Sequence, residues 1–229
     1  MGETILTHFG KIDSVDRTQI LRYLGIMGAS TDDESIASVN TLIDKWYPVV
    51  LDTIRPTACF LEADLSIDED TYTADFTYFS VQSKNLTSVL RGCKKAILVA
   101  ATLGIKTDMM LKRALVTSKA EALIFNSICV AAIEQYMAEL NREFADMYEG
   151  MKLRPRFSPG YGDVPLSTQT DLLNTLDSKR KIGVALSDSL LMTPEKSVSA
   201  IIGISEDGCM HIDKDCDICS KRDCEYRLS

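Results

Sequence analysis

Apolar positions along the chain recur with two periods, and the switches between them divide it into elements. Val15, Ile20, Leu21 and Leu24 fall on one face of a helix predicted over residues 13–25, which Gly25 ends. Thr31-Asp-Asp-Glu34 reads as a capping box. It opens a helix with Ile36, Val39, Leu42, Ile43 and Trp46 at helical spacing. Pro48 is expected to kink or end that helix, and Arg55-Pro56 to close the unit. The period then shortens to two. Thr57–Ile67, a turn at Asp68-Glu-Asp70 and Thr71–Phe79 predict a hairpin with one wet side, Tyr72, Ala74, Phe76 and Tyr78 sharing a face. Leu86, Val89, Leu90 and Cys93 predict a helix from about Ser83, and Ala96–Thr102 a buried strand that Leu103-Gly104 turns out of. A second capping box, Ser118-Lys-Ala-Glu121, opens the longest helix, about 119–148, with Gly150 placed as its C-terminal cap. Ser167 is expected to cap a helix over 168–177, Ile182, Val184 and Leu186 to alternate as a strand, and Val198–Ile204 to form another. Strands and helices mix without a βαβ rhythm, so the fold class is α+β, an antiparallel sheet with flanking helices.

Composition adds boundaries. The chain's 229 residues fit one large domain or one domain with an appendage, and 45% hydrophobic with 25% charged residues is ordinary for a globular protein. A net charge of −8 argues against general nucleic-acid binding, which needs a basic footprint. No membrane span is expected, and the N-terminus lacks a basic region followed by an apolar core, so a cytoplasmic address is the expectation. Cys59, Cys93 and Cys129 stand in apolar segments and read as small buried hydrophobes.

The chemistry concentrates in Arg154-Pro-Arg-Phe-Ser-Pro-Gly-Tyr-Gly-Asp163. Two prolines and two glycines in ten residues make a shaped, irregular segment that is neither helix nor strand. Such a loop presents backbone groups that no ladder uses, and its arginines and aromatics add fixed charge and flat faces. That combination suits a small polar ligand with a carboxylate and a ring. The alternative is a tight turn after a long helix.

Arg156-x-x-x-Gly160-Tyr161 resembles the Arg-x-x-x-Gly-Tyr signature of the activation (reactivation) domain of vitamin B12-dependent methionine synthase. Further segments resemble that family: Arg22-Tyr-Leu-Gly25, Ala100-Ala-Thr-Leu-Gly104, Gln169, Ile182–Leu186 and Met192–Val198. The resemblance runs over roughly residues 15 to 204 and is to the free-standing, single-domain form. It implies an S-adenosylmethionine-binding activation domain over 1–204. The implied partner is a cobalamin-binding methionine synthase subunit, served in trans, with a reductant protein supplying an electron. The chain would be a component of that methyltransferase and not a complete enzyme. By the resemblance, Arg156 pairs with the methionine carboxylate, for which a guanidinium fork is suited. Ser158 stands where family members offer backbone contacts, Gly160 lets the backbone approach, and Tyr161 lies near ligand and corrin. Arg154 is the alternative to Arg156, one of the two being a surface charge. Fused family members hold the ligand with an acidic residue as well, for which Glu62, Asp64 and Glu134 are the candidates here. Many members have Gly-Tyr-Pro where this chain has Gly160-Tyr161-Gly162, which implies a different local backbone.

Residues 205–229 form a cysteine-rich tail. Cys209, Cys216, Cys219 and Cys224 make a C-x6-C-x2-C-x4-C pattern whose Cys216-x-x-Cys219 pair is a common thiolate chelate. Structural zinc, a redox-active iron–sulfur cluster and a disulfide pair all remain open, and His211 is a possible replacement ligand. Two functions follow. The first is S-adenosylmethionine-dependent reactivation of cob(II)alamin on a methionine synthase. The second is a metal-bearing electron-transfer or adaptor protein for another corrinoid methyltransferase. No nucleophile elbow, Rossmann glycine fingerprint or phosphate loop is present.

Overall fold

The computed structural model describes residues 4–26 and 34–206. In chain order the elements are β1 (Leu6–Phe9), α1 (Arg17–Tyr23), α2 (Glu34–Thr53), β2 (Thr57–Asp64), β3 (Ser66–Asp68), β4 (Thr73–Asp75), β5 (Ser80–Gln82), α3 (Lys84–Leu90) and β6 (Lys95–Thr102). Then follow α4 (Ile105–Thr117), α5 (Lys119–Met147), β7 (Lys152–Leu153), α6 (Thr168–Thr175), α7 (Ser178–Ile182), β8 (Ala185–Leu186), β9 (Met192–Thr193) and β10 (Ser197–Ser205). The central sheet is antiparallel throughout, in the order β1-β2-β6-β10-β7. Helices cover both of its faces, which makes the α+β assignment from the sequence correct.

Strand alternation builds two cores. Ile97, Val99 and Ala101 of β6 and Ala200, Ile202 and Ile204 of β10 pack with α1, α2 and α5. Ala96, Leu98, Ala100 and Ile201 point the other way, into a cluster with α3, α6 and the small sheet β3-β4-β5. Because both faces are covered, β6 is apolar from Ala96 to Ala101 and β10 from Ala200 to Ile204, and Gly203 lets α3 approach closely. By length and composition α5 could cross a membrane, but its apolar side packs on the sheet through residues such as Phe125, Ile128, Met137 and Phe144.

Several sequence expectations are corrected. β1 and α4 were not anticipated, β1 because four residues with one buried side at most carry little periodicity. The hairpin predicted over Thr57–Phe79 shrinks to β3 with β4, since β2 pairs with β1 and β6 in the main sheet. Its shared face also breaks. Ala74 and Phe76 are buried, but Tyr72 and Tyr78 are exposed, because Tyr72 and Thr77 adopt positive φ and the strand ends at Asp75. Pro48 lies inside α2 without ending it; the helix runs on to Thr53 with its apolar side on α5. Ser167 makes no side-chain cap, and Ile182 closes α7, which leaves only Ala185–Leu186 as strand. Ser118 does cap α5, accepting the Glu121 N–H at 3.4 Å. The reciprocal half of that box is absent, since the Glu121 carboxylate accepts from Lys45 Nζ at 2.8 Å and Trp46 Nε1 at 3.2 Å. The box at Thr31–Glu34 lies outside the described residues.

Gly203 is a tight point between β10 and α3. A Cβ there would meet Cys93 Sγ and Leu90 Cδ2 at 2.7 Å and Arg154 Cγ at 3.1 Å. Gly203→Ala is therefore expected to lower unfolding stability by about 1–3 kcal/mol, read as a reduced midpoint in urea with an unchanged slope.

Candidate functional site

The loop after α5 hangs on β10. β7 continues the ladder with Leu153 opposite Ile204, Arg154 N–H donates to Gly203 O at 2.8 Å, and Phe157 bridges Ile201. From Leu153 to Phe157 is four steps, and from Ile204 to Ile201 is three, so the loop strand carries one extra residue, a bulge. Its consequence is geometric. In a regular strand Arg154 and Arg156 would share a face. Across the bulge they part: Arg154 turns toward α3, and Arg156 turns toward α5.

Arg154 is buried, 7% exposed, and is therefore no surface charge. Its Nη2 donates to Arg91 O at 3.1 Å and Ser205 Oγ at 3.4 Å. The Cys93 thiol lies against the same guanidinium; burial raises its pKa, and Arg154 offsets this only in part. At the far end of the loop Asp163 accepts from Ser83 Oγ, from Lys84 N–H at 2.8 Å and from Asn85 N–H at 3.2 Å. Arg91 is the C-cap of α3 and Ser83 its N-cap. The loop is thus fastened by a cation at one end of a single helix and an anion at the other, the signs that the helix dipole favours.

Between the anchors the chain turns on Gly160, φ +83, and Gly162, φ +58. A proline is locked near −65°, so the backbone at Gly162 is one that the family's Gly-Tyr-Pro pattern cannot adopt. Gly160 N–H bonds Val164 O and Tyr161 N–H bonds Ser158 O, each at 3.1 Å. The loop therefore uses part of the backbone hydrogen bonding that the sequence reading left for a ligand. Tyr161 is 38% exposed and packs edge-on against buried Phe157 at 5.4 Å.

Arg156 Nη2 donates to Glu134 Oε2 on α5 at 3.0 Å. Tyr23, at the end of α1, completes the group: burial and the Glu134 carboxylate raise its pKa against the pull of Arg22 and Arg156, so the phenol stays protonated. The site therefore pairs a cation and an anion near an exposed glycine–tyrosine turn, with the Tyr23 phenol within their electrostatic reach. Of the three acidic candidates only Glu134 meets Arg156. Glu62 is engaged elsewhere, with Lys95 and, at 2.6 Å, Tyr148 Oη; burial raises its pKa, but these bonds outweigh it and lower the value. Gln169, buried on α6, donates to Leu190 O at 3.0 Å and accepts from Ser199 Oγ at 3.4 Å, tying α6 to β10. Cys59 and Cys129 are buried with thiols pushed up to about 12, which fits packing and not nucleophilic chemistry. Cys209, Cys216, Cys219, Cys224 and His211 lie outside the described residues. Tyr23 and Asp163 went unrecognised in the sequence. Asp163 lies 80 residues from Ser83, and no local pattern signals such a contact.

The Asp163 anchor has a pH signature. Burial raises its pKa, but the bonds from Ser83, Lys84 and Asn85 outweigh it and hold the carboxyl below the usual aspartate range. A depressed folded pKa contributes stability that is present above the unfolded value and lost as pH falls through the folded one. Asp163→Asn is expected to cost about 1 kcal/mol at neutral pH. The gap between variant and parent should close as pH drops below about 4 in paired urea melts.

Residues 110–211 match the family model described as "Vitamin B12 dependent methionine synthase, activation domain". No curated protein matches the chain. Among solved structures, the crystal structure of the MetH reactivation domain bound to AdoHcy aligns with a TM-score of 0.65 at 15% identity, covering 91% of this chain and 80% of that one. Residues 110–211 thus carry the sequence pattern of the activation domain of vitamin B12-dependent methionine synthase, and the described residues have the fold of that reactivation domain.

Proposed function

We propose that this protein is an S-adenosylmethionine-binding subunit that supports reductive methylation of cob(II)alamin on a cobalamin-dependent methionine synthase, acting in trans. The observation that carries the reading is the Arg156–Glu134 pair beside the Gly160–Tyr161 turn, within the fold of a domain solved with AdoHcy. An α-amino acid end carries a carboxylate and an ammonium a few ångströms apart, and a guanidinium beside a carboxylate complements both charges. Arg156 takes the ligand carboxylate, and Glu134 supplies the acidic partner. Ser158 and Gly160 let the backbone approach, and Tyr161 lies over the ligand toward the corrin. S-adenosylmethionine supplies an electrophilic methyl group, the partner's cobalamin receives it after one-electron reduction by a separate protein, and this chain's task is to hold and orient the donor.

The cysteine tail that follows β10 is a second unit in this reading. Cys209, Cys216, Cys219 and Cys224 bind one metal site, zinc or an iron–sulfur cluster. Elemental analysis of anaerobically purified protein should find zinc or iron with sulfide, lost when Cys216 and Cys219 are replaced by serine. Metal-free parent protein would refute this part.

Calorimetric titration with S-adenosylmethionine or S-adenosylhomocysteine tests the site. The parent should bind, and Arg156→Ala should weaken binding at least about tenfold, roughly 1.4 kcal/mol, without lowering the melting temperature by more than a few degrees. Arg154→Ala should instead lower stability, since its guanidinium is buried between α3 and β10. Equal affinity in the parent and Arg156→Ala would move the site away from this loop.

A further inference from the structure

Helix α4 has an outer face that the fold does not use. Ile105, Met109 and Val116 are 52%, 53% and 90% exposed, and they follow one another at helical spacing along a single stripe with Lys112. Lys106 and Arg113 flank the stripe. The helix has one carboxylate, Asp108, which is buried and accepts the Glu195 backbone N–H at 3.0 Å. Lys106, Lys112, Arg113 and the adjoining Lys119 make no ion pair among the described residues, so their charges are not neutralised within the fold. Two carboxylates adjoin the face without balancing it. Glu121 is taken by Lys45 and Trp46, and the exposed Glu195 sits at the Ile105 end. A basic, apolar-centred face on a chain of net charge −8 is complementary to an acidic partner and repels most of the chain's own surface.

One side of α5 leads from the end of α4 toward the candidate site. Lys119, Leu123, Val130 and Glu134 follow one another on one side of α5, and Leu123 is 55% exposed. Fifteen residues of helix separate Lys119 from Glu134, about 22 Å at 1.5 Å per residue. A standard protein interface covers about 800 Å² on each side and spans such a distance. A partner that covers α4 and this side of α5 would reach the Glu134–Arg156 pair.

We infer that the α4 face and the adjoining strip of α5 form the docking surface for an acidic face of the cobalamin-carrying partner, holding it over the Arg156 loop. This rests on the reading of the loop given above. The basic groups set the rate and salt dependence of encounter, and the Ile105–Met109–Val116 stripe supplies the apolar centre.

The test uses the full chain and the purified cobalamin-dependent methionine synthase of the same organism, with affinity measured by interferometry across a salt series. Lys112→Glu/Arg113→Glu reverses two exposed charges, and Met109→Ser/Val116→Ser removes the apolar centre. The parent should bind the synthase. Both variants should lose at least about tenfold in affinity, and the charge reversal should flatten the salt dependence, while both keep parental affinity for S-adenosylhomocysteine. Unchanged synthase binding in both variants would overturn the proposal, as would a parent that does not bind the synthase. Binding of the parent, but not the charge reversal, to phosphatidylglycerol-containing vesicles, with synthase binding unaffected, would assign the face to lipid and overturn it too. Failure of the parent to bind S-adenosylhomocysteine would count against the loop reading and not against this surface.

Discussion

Everything distinctive in this molecule depends on how one irregular loop is fastened to one short helix. Asp163 receives the N–H groups at the start of α3, and Arg154 donates to the carbonyl at its end. Both contacts are charge-assisted and both follow the helix dipole. A ten-residue segment containing two prolines and two glycines has few ladder bonds of its own, so without such ties its conformational entropy would be large. The ties leave the middle of the loop, from Arg156 to Tyr161, in a defined shape, with Arg156 turned to Glu134 on α5 and Tyr161 exposed.

The bulge beside β10 does the complementary work. One extra residue between Leu153 and Phe157 sends consecutive arginines to opposite sides of the sheet. Arg154 becomes structural and Arg156 becomes available to α5. The same residue type thus has two roles set by backbone register, not by sequence context. The long helix α5 then joins the layers: its apolar side forms much of the core, and its remaining side carries Glu134 to the loop and Lys119 and Leu123 to the α4 face.

Much of this was legible in the sequence because period, capping and turn chemistry agree there. Ser83 and Ser118 were read as helix starts, and both accept the N–H three residues on. β6 was read as a buried strand from its apolar run, and β10 as a further strand. The irregular loop was read from its prolines and glycines. What failed is what depends on distant partners. Thr57–Ile67 looks like one arm of a hairpin, but the main sheet recruits its first eight residues and leaves the rest to a small sheet. Pro48 has no local reason to be tolerated inside a helix. Motif spacing singles out Arg156, but nothing local shows that Arg154 is buried until the bulge is seen, and Asp163 looks like a solvated loop acid until α3 is placed against it. The α4 face could not be read at all, since exposed apolar residues at helical spacing resemble core residues until burial is known.

The most direct test of the account is a crystal structure of the protein with S-adenosylhomocysteine. The account predicts density for the ligand carboxylate against Arg156, with Glu134 beside the amino group and the Gly160–Tyr161 turn along the ligand. Ligand density elsewhere, for instance in the cavity of about 420 Å³ lined by Asn174, Lys179, Leu186 and Asp188, with the Arg156–Glu134 pair unchanged, would contradict it.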